Sequence, residues 1–490
     1  MSPAHISIVG ELRRLIGSEH VLDAPPSSPY NRDSSNRRGV EGHAGAVVLP
    51  GDAREVAAVL AWCYAHDVPL VPRGGGTGLT GGAVPTHGGV VLSLERLRAV
   101  RELEPGLWRL FVEAGVSTRD VQRLARENGL FFGPDPGASE QSHIAGNVAT
   151  NAGGPHALKY GVTGAWVAGI EVALAPGELA HVGGWAGKDV AGYDLKSLMI
   201  GSEGTLGVIT AVRLRLLPAP EAAIPLVVFL RTRAEGCAAI EAVFAAGLRP
   251  SVLDFLDGPT LAILASAYPG GSSIAAGAPG ARAGRTGEHR AEVPAGAGFA
   301  LICEVDGSHA DALAQRDALL GLLGADALAV HEPRDARALW RWRDGANPAV
   351  TAARGGKVSE DVVFPIERLA EGLARFEQIA TAHRMRSCAW GHGGEGNVHA
   401  TVLVDPQREH ELDAAEAIGE ELFALVVALG GSIAGEHGVG WHKRGRLASQ
   451  WDPRALELHE QIKRAFDPKG LLNPETKLAR YPARSPGTST

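Results

Sequence analysis

The sequence predicts an α+β fold built from more than one domain, and three observations lead to that prediction. The chain has 490 residues, more than one ordinary hydrophobic core accommodates, so two or three domains are expected. A strand–helix–strand order recurs twice between residues 225 and 331, which predicts an antiparallel sheet covered by helices on one face. Pro218 and Pro220 follow an alternating strand at 207–217, so the best domain boundary lies near residue 220.

Hydrophobic periodicity assigns the individual elements on both sides of that boundary. Before it we expect helices at 53–66 and 118–128, strands at 68–73, 89–94, 107–114 and 207–217, and a hairpin over 167–182. Beyond it we expect strands at 225–230, 251–256, 298–305 and 327–331, and helices at 233–246, 309–323 and 407–429. Residues 269–297 lack a hydrophobic period and are predicted to form a mobile surface insertion. The last ordered stretch is expected at 455–478, before a disordered tail from Arg480.

Composition excludes several classes of function. A net charge of −8 offers no support for a nucleic-acid partner. The four cysteines form no CxxC pair, so we expect neither a thiolate metal site nor a disulfide framework. The N terminus lacks a signal-peptide pattern, and no apolar run approaches the roughly 20 residues that span a bilayer. We therefore expect a cytoplasmic protein without a transmembrane segment, attached at most peripherally to the inner face of the membrane.

Three glycine-rich segments before residue 220 predict a large phosphate-bearing cofactor. The first, PRGGGTGLTGG at 72–82, follows a strand, and backbone N–H groups without Cβ atoms beside them can converge on an anion. The second combines GPDPG at 133–137 with HIAGNVATNAGG at 143–154, whose amides and hydroxyl suit a planar heterocycle. The third, GSEGTLG at 201–207, enters the alternating strand. The first segment matches neither a Walker loop nor the Rossmann spacing, and a flexible linker is its alternative interpretation.

These segments, with ALKYGVTG, KDVAGYDL, GHGGEGNVH and GEHGVG, closely resemble a known family. It is that of the FAD-linked oxidoreductases with a vanillyl-alcohol-oxidase (PCMH) type FAD domain. Within it, the chain is similar to the group of D-lactate dehydrogenase, the glycolate oxidase catalytic subunit and D-2-hydroxyglutarate dehydrogenase. The resemblance covers about residues 45–220 and 335–478.

The resemblance implies a specific domain order. A two-subdomain PCMH-type FAD-binding domain would occupy residues 1–220, and a substrate (cap) domain with a ferredoxin-like antiparallel sheet would occupy 221–440. Residues 441–490 would form a C-terminal segment that returns to the FAD domain.

The resemblance also implies FAD contacts in all three glycine-rich segments. Relatives with covalent flavin often carry a histidine in the first segment, where this chain has Thr77, so the FAD is expected to be non-covalent. The implied cofactor-binding residues are Arg73, Gly74, Gly75, Gly76, Thr77, Gly78, Pro136, Gly146, Asn147, Thr150, Gly153, Glu203 and the backbone of Ile209.

A histidine and glutamate cluster in the C-terminal half suits a divalent metal. His392 and His399 flank a glycine-rich loop, and a strand–loop–strand would bring both imidazoles toward one point. Glu436 and His437 lie in a second glycine-rich turn. Two histidines and a carboxylate leave metal positions open for water or substrate, although histidines in such turns also simply satisfy backbone groups. The resemblance implies that His392, His399 and Glu436 bind zinc or a similar ion.

Further residues are candidates for the chemistry itself. His437 is expected to act as the base, because a neutral imidazole can accept the proton of a metal-polarised hydroxyl; its alternative role is to brace Glu436. Arg343 fits the family's substrate-binding arginine, since a guanidinium fork suits a carboxylate. Lys357 is a second candidate for that carboxylate, with a solvated loop charge as its alternative interpretation. Asn397 is expected to bond the substrate carboxylate or to orient a ligand.

The function implied by the resemblance is oxidation of a D-2-hydroxy acid such as D-lactate, glycolate or D-2-hydroxyglutarate. Electrons would pass to a quinone, an electron-transfer flavoprotein or a partner subunit, and a homodimer is compatible with this function. Two alternatives remain open at this point. One is an oxygen-using oxidase of an alcohol or sugar on the same fold, and the other is a non-catalytic FAD-binding subunit of a larger complex.

Overall fold

The computed structural model of the protein describes residues 8–35, 39–274 and 292–478. The tail expected from Arg480 lies outside these ranges, as do residues 275–291 of the expected insertion. Within the described ranges, no helix is both long enough and apolar enough to cross a membrane. All four cysteines are free and buried, in keeping with the prediction of no disulfide framework.

The chain begins with a small sheet in the strand order β1-β2-β4-β3, in which β1 is antiparallel to its neighbour and the other pairs are parallel. The second helix of this part begins after Asp52, whose carboxylate accepts the N–H groups of Arg54 and Glu55. The elements are α1 (Ile8–Ile16), β1 (Val21–Leu22), β2 (Ala46–Val48), α2 (Ala53–Ala65), β3 (Leu70–Arg73) and β4 (Val90–Ser93).

A second, antiparallel sheet follows in the order β5-β6-β10-β8-β9, and it shares one hydrophobic core with the first sheet. The remaining strands, β7 and β11, pair only with each other. The strands are β5 (Val100–Glu104), β6 (Arg109–Glu113), β7 (Leu130–Phe131), β8 (Val167–Leu174), β9 (Glu178–Gly183), β10 (Val208–Arg215) and β11 (Leu217–Pro218). The helices are α3 (Thr118–Glu127), α4 (Ile144–Thr150), α5 (Ala157–Tyr160), α6 (Thr163–Trp166) and α7 (Leu195–Met199).

The C-terminal half is built on an eight-stranded antiparallel sheet in the order β14-β16-β12-β15-β13-β18-β19-β17. Its strands are β12 (Ala222–Leu230), β13 (Val252–Asp257), β14 (Ser272–Ile274), β15 (Phe299–Gly307), β16 (Ala329–Glu332), β17 (Gly356–Val363), β18 (Arg386–Gly391) and β19 (Asn397–Val404). Strand β14 corrects the expectation for residues 269–297, because this part of the predicted insertion extends the sheet by pairing with β16.

Helices cover both faces of this large sheet. One face packs against α8 (Arg233–Ala245), α10 (His309–Leu323), α13 (Leu369–Ala382) and α14 (Glu409–Ala428). The other face packs in part against α9 (Gly258–Leu264), α11 (Ala336–Asp344) and α12 (Ala346–Ala352). The expectation of helices on one face was therefore incomplete, and all eight residues of β19 are buried as a result.

The chain then returns to the first sheet through α15 (Leu447–Gln450) and α16 (Pro453–Phe466). Leu472 forms a parallel bridge with Leu70 of β3, and the Lys463 ammonium donates to the carbonyl of Thr205 at 2.7 Å. All the helices and strands expected from periodicity are present, with ends displaced by a few residues. Helix α4 was not expected, because its sequence IAGNVAT lies in a segment interpreted as a glycine-rich loop.

Candidate active site

The two glycine-separated histidines converge as expected. His392 directly follows β18, His399 lies within β19, and a short 3₁₀ turn over Gly393–Glu395 joins the strands. Gly396 closes this connection at φ 69°, and a Cβ atom there would lie 1.9 Å from the carbonyl oxygen of Phe364. Only glycine fits such a left-handed, crowded position, so the connection stays tight and both imidazoles are buried.

Glu436 completes a set of three side chains that could hold a metal ion. Its Oε1 atom lies 3.4 Å from Nε2 of His392 and 3.6 Å from Nε2 of His399. Three ligands held about 2.1 Å from one ion in tetrahedral geometry lie about 3.4 Å from each other. The donor types and spacings therefore fit a divalent cation such as zinc.

Burial and neighbouring charges shift the pKa values of the three side chains in this set. Burial opposes ionisation of His392, but Asp254 and Glu436 hold its pKa well above the usual range. Burial also lowers the pKa of His399 to about 3, with added repulsion from His437. Burial would raise the pKa of Glu436, yet the histidines lower it to about 2. Metal binding would thus displace one proton, from His392, and meet an already ionised carboxylate.

Asp254 supports the ligand His392 from behind. Its Oδ1 atom lies 2.8 Å from Nδ1 of His392, and its Oδ2 atom accepts a hydrogen bond from Nε of Arg343 at 2.6 Å. A carboxylate on the far nitrogen of a histidine is the usual arrangement behind a metal-binding imidazole, because it sets the tautomer and the ring orientation.

Arg343 lies beside the metal-binding set, but part of its fork is already engaged. Besides the bond to Asp254, Nη2 lies 3.4 Å from Nδ1 of His392 and Nη1 lies 3.5 Å from Oδ1 of Asp344. Nε is therefore engaged by Asp254, whereas Nη1 and Nη2 have only these longer contacts.

The position of Lys357 in the structure corrects its alternative interpretation as a solvated charge in a loop. It lies in strand β17, and its ammonium is 4.6 Å from the centre of the Trp390 ring, which is itself 5.9 Å from the ring of His399. The alternation of β17 and β19 places Lys357 on the same sheet face as His399.

His437 stacks on His399 and is the more accessible of the two. Their ring centres are 5.2 Å apart and nearly parallel, and the side chain of His437 is 26% exposed. Its Nε2 atom lies 3.9 Å from Oε1 of Glu436, which is beyond hydrogen-bonding distance. No direct hydrogen bond between His437 and Glu436 therefore holds this imidazole in place.

Asp361 is a candidate functional residue that the sequence interpretation missed. The N–H groups of residues 435–437 all donate to its Oδ2 atom at 2.9 Å, and Nδ2 of Asn397 donates to its Oδ1 atom at 2.7 Å. Burial opposes its charge, but His437 and Lys443 hold its pKa far below the usual range. Asp361, His399 and His437 also lie close enough to hold an ion, but four N–H donors already use the oxygens of Asp361.

The first glycine-rich segment borders a cavity of about 640 Å³. Gly74 and Gly75 line it together with Ser117 and His143. Nδ1 of His143 is buried without a hydrogen-bond partner among the described residues. Around Gly146 in the same region, no described atom lies within 4 Å of where a Cβ would stand. An unpaired buried polar atom and open space beside glycines fit a large bound cofactor such as FAD.

Several residues that are expected to contact the cofactor use their side chains in hydrogen bonds within the protein. The Arg73 guanidinium donates to the carbonyl of Arg32 at 2.7 Å and braces the N-terminal segment. Asn147 donates to the hydroxyl of Thr118, and Thr150 donates to the carbonyl of Gly146 at 3.1 Å. In this structure these side chains donate within the protein, and their contact with the flavin stays a prediction.

The other implied FAD contacts lie in loops around these segments, apart from Ile209 in strand β10. Glu203 adopts φ 54°, and its carboxylate accepts N–H groups from Val439 and Gly440, so its side chain faces the turn that bears His437. A register shift interrupts the β10 ladder after Ile209. Gly76, Thr77, Gly78 and Pro136 lie outside regular helices and strands.

The two halves of the site meet at Gly153. This glycine closes the second glycine-rich segment, and a Cβ atom on it would lie 2.9 Å from Oε2 of Glu436. The predicted cofactor segment and the predicted metal site are therefore adjacent. Such a site, at the contact between a glycine-lined cofactor domain and a sheet that carries a candidate metal site, is typical of a flavin-dependent oxidoreductase.

Comparison with known proteins identifies the family. Residues 44–183 match the model of the FAD binding domain, and residues 219–476 match that of the FAD linked oxidases, C-terminal domain. The chain belongs to this family of FAD-linked oxidoreductases.

Relatives of similar length support this assignment. The chain is 34% identical to the glycolate oxidase subunit GlcD of Bacillus subtilis, over 89% of each chain. It is 32% identical to the D-lactate dehydrogenase of Anaerostipes hadrus, over 86% of each chain. It is 33% identical to that of Archaeoglobus fulgidus, over 92% of this chain and 95% of the relative.

Solved structures share the fold at lower identity. A crystal structure of p-cresol methylhydroxylase with bound substrate superposes with a TM-score of 0.75, 18% identity and 96% of both chains covered. Alkyldihydroxyacetonephosphate synthase gives a TM-score of 0.70 at 16% identity, over 95% of this chain and 84% of the other. The predicted PCMH-type fold is confirmed.

Proposed function

We propose that this protein is an FAD-dependent dehydrogenase that oxidises a D-2-hydroxy acid of the D-lactate, glycolate or D-2-hydroxyglutarate type to the 2-oxo acid. The observation that carries the proposal is the contact between Gly153 and Glu436. This contact supports the proposal because it brings the candidate metal-binding side chains next to the segment expected to hold the flavin. The names of the relatives above support the same substrate class.

Oxidation of a 2-hydroxy acid removes the hydroxyl proton and the hydrogen on Cα. When bound without a covalent link, FAD would supply the hydride acceptor, and a divalent ion such as zinc would polarise the substrate hydroxyl. His392, His399 and Glu436 would hold that ion through Nε2, Nε2 and Oε1. His437 would accept the hydroxyl proton, because its ring lies 5.2 Å from that of the ligand His399 and is partly open to solvent.

Arg343 and Lys357 would hold the substrate carboxylate. Both carry a positive charge near the histidines, and Arg343 stays protonated because Asp254 and Asp344 outweigh the effect of its burial and raise its pKa. Asn397 would orient the turn that bears Glu436 through Asp361. Its buried Oδ1 has no hydrogen-bond partner among the described residues and is a further candidate for a substrate contact.

The domain arrangement follows the same proposal. Residues 1–220 would bind FAD, 221–440 would supply the metal and substrate groups, and 441–490 would return to the FAD-binding part. The bridge between Leu472 and Leu70 supports that return. Electrons would leave to a quinone, an electron-transfer flavoprotein or a partner subunit.

Anaerobic bleaching of the purified yellow protein tests the function. D-lactate, glycolate and D-2-hydroxyglutarate are added separately, with L-lactate as the stereochemical control, before and after treatment with a chelator. We expect bleaching by at least one of the first three, loss of bleaching after chelation, and recovery with Zn²⁺. No bleaching by any hydroxy acid would refute the proposal, and rapid oxygen-dependent turnover of an alcohol or sugar would support the oxidase instead.

Acid precipitation tests the mode of flavin attachment. With Thr77 in the position where covalent relatives carry histidine, we expect the yellow colour to remain in the supernatant. Colour retained in the protein pellet would contradict non-covalent binding.

A further inference from the structure

The turn formed by residues 435–440 is held by two buried carboxylates that come from opposite parts of the chain. Asp361 belongs to strand β17 of the large sheet, and Glu203 belongs to the loop before strand β10 of the FAD-binding part. Together they accept five of the six backbone N–H groups of the turn. This turn carries Glu436 and His437, so its position decides where a metal ligand and the candidate base lie.

Asp361 holds the first half of the turn. Its Oδ2 atom accepts three successive N–H groups, from residues 435–437, each at 2.9 Å. Successive N–H groups around one anionic oxygen form a nest, and bonds to an ionised oxygen are stronger than neutral ones. Space is tight here, because a Cβ atom on Gly435 would lie 1.9 Å from Nδ2 of Asn397.

Asp361 also connects the turn to the candidate metal ligand His399. In the antiparallel ladder between β17 and β19, Asp361 lies directly opposite His399. The Asp361–His399 pair of the sheet therefore positions His399 directly and positions Glu436 through the turn that Asp361 holds. Because both ligands are attached to this pair, it helps to hold Nε2 of His399 and Oε1 of Glu436 at their distance of 3.6 Å.

Glu203 holds the second half of the turn from the other side. Its Oε1 accepts the N–H of Val439 at 3.0 Å, and its Oε2 accepts the N–H of Gly440 at 2.7 Å. Lys477 lies 3.3 Å from Oε1 and balances the charge. A Cβ atom on Gly438, which has φ 83°, would lie 3.1 Å from this carboxylate, so the turn approaches Glu203 as closely as glycine allows.

We propose that Asp361 and Glu203 are positioning residues that act as a pair. Asp361 sets Glu436 relative to the two histidine ligands, and Glu203 sets the same turn, and with it His437, relative to the flavin-binding part. The catalytic part of this inference rests on the proposed function, whereas the clamp itself is a property of the fold. Neither side chain needs to touch the substrate.

Hydrogen–deuterium exchange of the turn tests the clamp without reference to activity. We expect Asp361→Asn to speed exchange of the amides at 435–437 by about ten-fold, because three bonds to a charged oxygen are weakened. Glu203→Gln should do the same for the amides at 439 and 440 only. Asp257→Asn is the matched control, since Asp257 is another buried carboxylate of the same sheet that accepts two N–H groups, from Thr260 and Ala389.

Two results would overturn the clamp. One is unchanged exchange at 435–437 in Asp361→Asn, and the other is equally fast exchange in Asp257→Asn, which would indicate general loosening of the sheet. If Asp361→Asn gives no soluble protein, Asp361→Glu serves instead, because it keeps the charge and moves it by one methylene.

Zn²⁺ binding and anaerobic flavin reduction test the division of roles. We expect Asp361→Asn to weaken Zn²⁺ affinity by about 10–100-fold, as loss of groups behind metal ligands does. Glu203→Gln should keep the wild-type Zn²⁺ affinity and KM but lower kcat by about ten-fold or more. The reverse pattern, or equal effects in both variants, would overturn the division. If wild-type protein neither binds Zn²⁺ nor bleaches, the proposed function fails, while the exchange experiment still decides the clamp.

Discussion

Gly153 lies against Glu436, with space for a hydrogen but not for a methyl group between them. A Cβ atom on Gly153 would be 2.9 Å from Oε2 of the carboxylate. A residue of the glycine-rich FAD segment is thereby in contact with a candidate metal ligand from the other half of the chain. Glycine is required at position 153 because a larger residue would collide with Glu436, whatever its contact with the flavin.

Gly153→Ala should therefore impair the metal site. The added methyl group must displace Glu436, and a displacement near 1 Å in a catalytic group costs about 100-fold in rate. We expect a loss of bound Zn²⁺ by elemental analysis and flavin reduction slowed to that extent. Gly187→Ala is the control, because no described atom lies within 4 Å of its Cβ position. Wild-type Zn²⁺ content in Gly153→Ala would contradict this interpretation of the contact.

Asp254→Asn should weaken the metal site from behind. The substitution removes the charge that supports Nδ1 of His392 at 2.8 Å, and such losses reduce metal affinity by about 10–100-fold. Competition with a chelator of known affinity measures the change. Asp257→Asn, three residues along the same strand, should leave Zn²⁺ affinity unchanged; a similar loss in both variants would assign the effect to the strand.

His437→Ala should separate proton transfer from metal binding. If His437 is the base, flavin reduction by substrate should slow by about 10²–10⁴-fold. The three ligand side chains remain, so Zn²⁺ and FAD contents should stay at wild-type values. Stopped-flow measurement of bleaching gives the rate, and bleaching as fast as in wild type would refute the assignment.

His156 should make stability depend on pH. Its Nδ1 lies 2.6 Å from Asp135 and its Nε2 lies 3.0 Å from Glu304 of the large sheet, so it joins the two halves of the molecule. Burial opposes its charge, but these carboxylates hold its pKa well above the usual value. A raised folded-state pKa contributes stability that is complete below about pH 6.5 and is lost as pH rises through the folded pKa.

The measurement compares Tm of wild type and His156→Gln across the neutral and alkaline range. The advantage of wild type should be largest at and below the unfolded pKa and should shrink as pH rises. His383→Gln, an exposed histidine that also lies near a glutamate, is the control. An advantage that grows with pH would show that His156 is neutral when folded.

The fold was largely predictable because periodicity reports which face of an element is buried. The alternation at 207–217 and the hairpin at 167–182 correspond to β10, β8 and β9. Helix α4 was not predictable in this way, since its seven residues are dominated by small side chains with weak helical preference, and tertiary packing decides their conformation. Strand β14 was missed because its three residues lie beside a segment without any pattern.

The candidate metal-binding set was recognisable because its histidines and glutamate lie in two glycine-rich turns that resemble motifs of the family. Asp361 was not, although it lies only four residues after Lys357, because nothing local distinguishes an aspartate in a strand that accepts four N–H groups from any other. Glu203 was predicted only as a flavin contact, and its hold on a turn more than 230 residues away in the chain was not foreseen.

The sequence by itself determined the α+β class, the family with its FAD-binding domain, and the residue types of the candidate metal-binding set, since composition and motifs are local properties. Only the tertiary structure decided that Gly153 touches Glu436, that Lys357 lies in a strand, and that Arg343 shares its fork with Asp254. It also decided that Asp361 and Glu203 hold one turn between them. These relationships join residues far apart in the chain, and backbone packing rather than any local pattern brings them together.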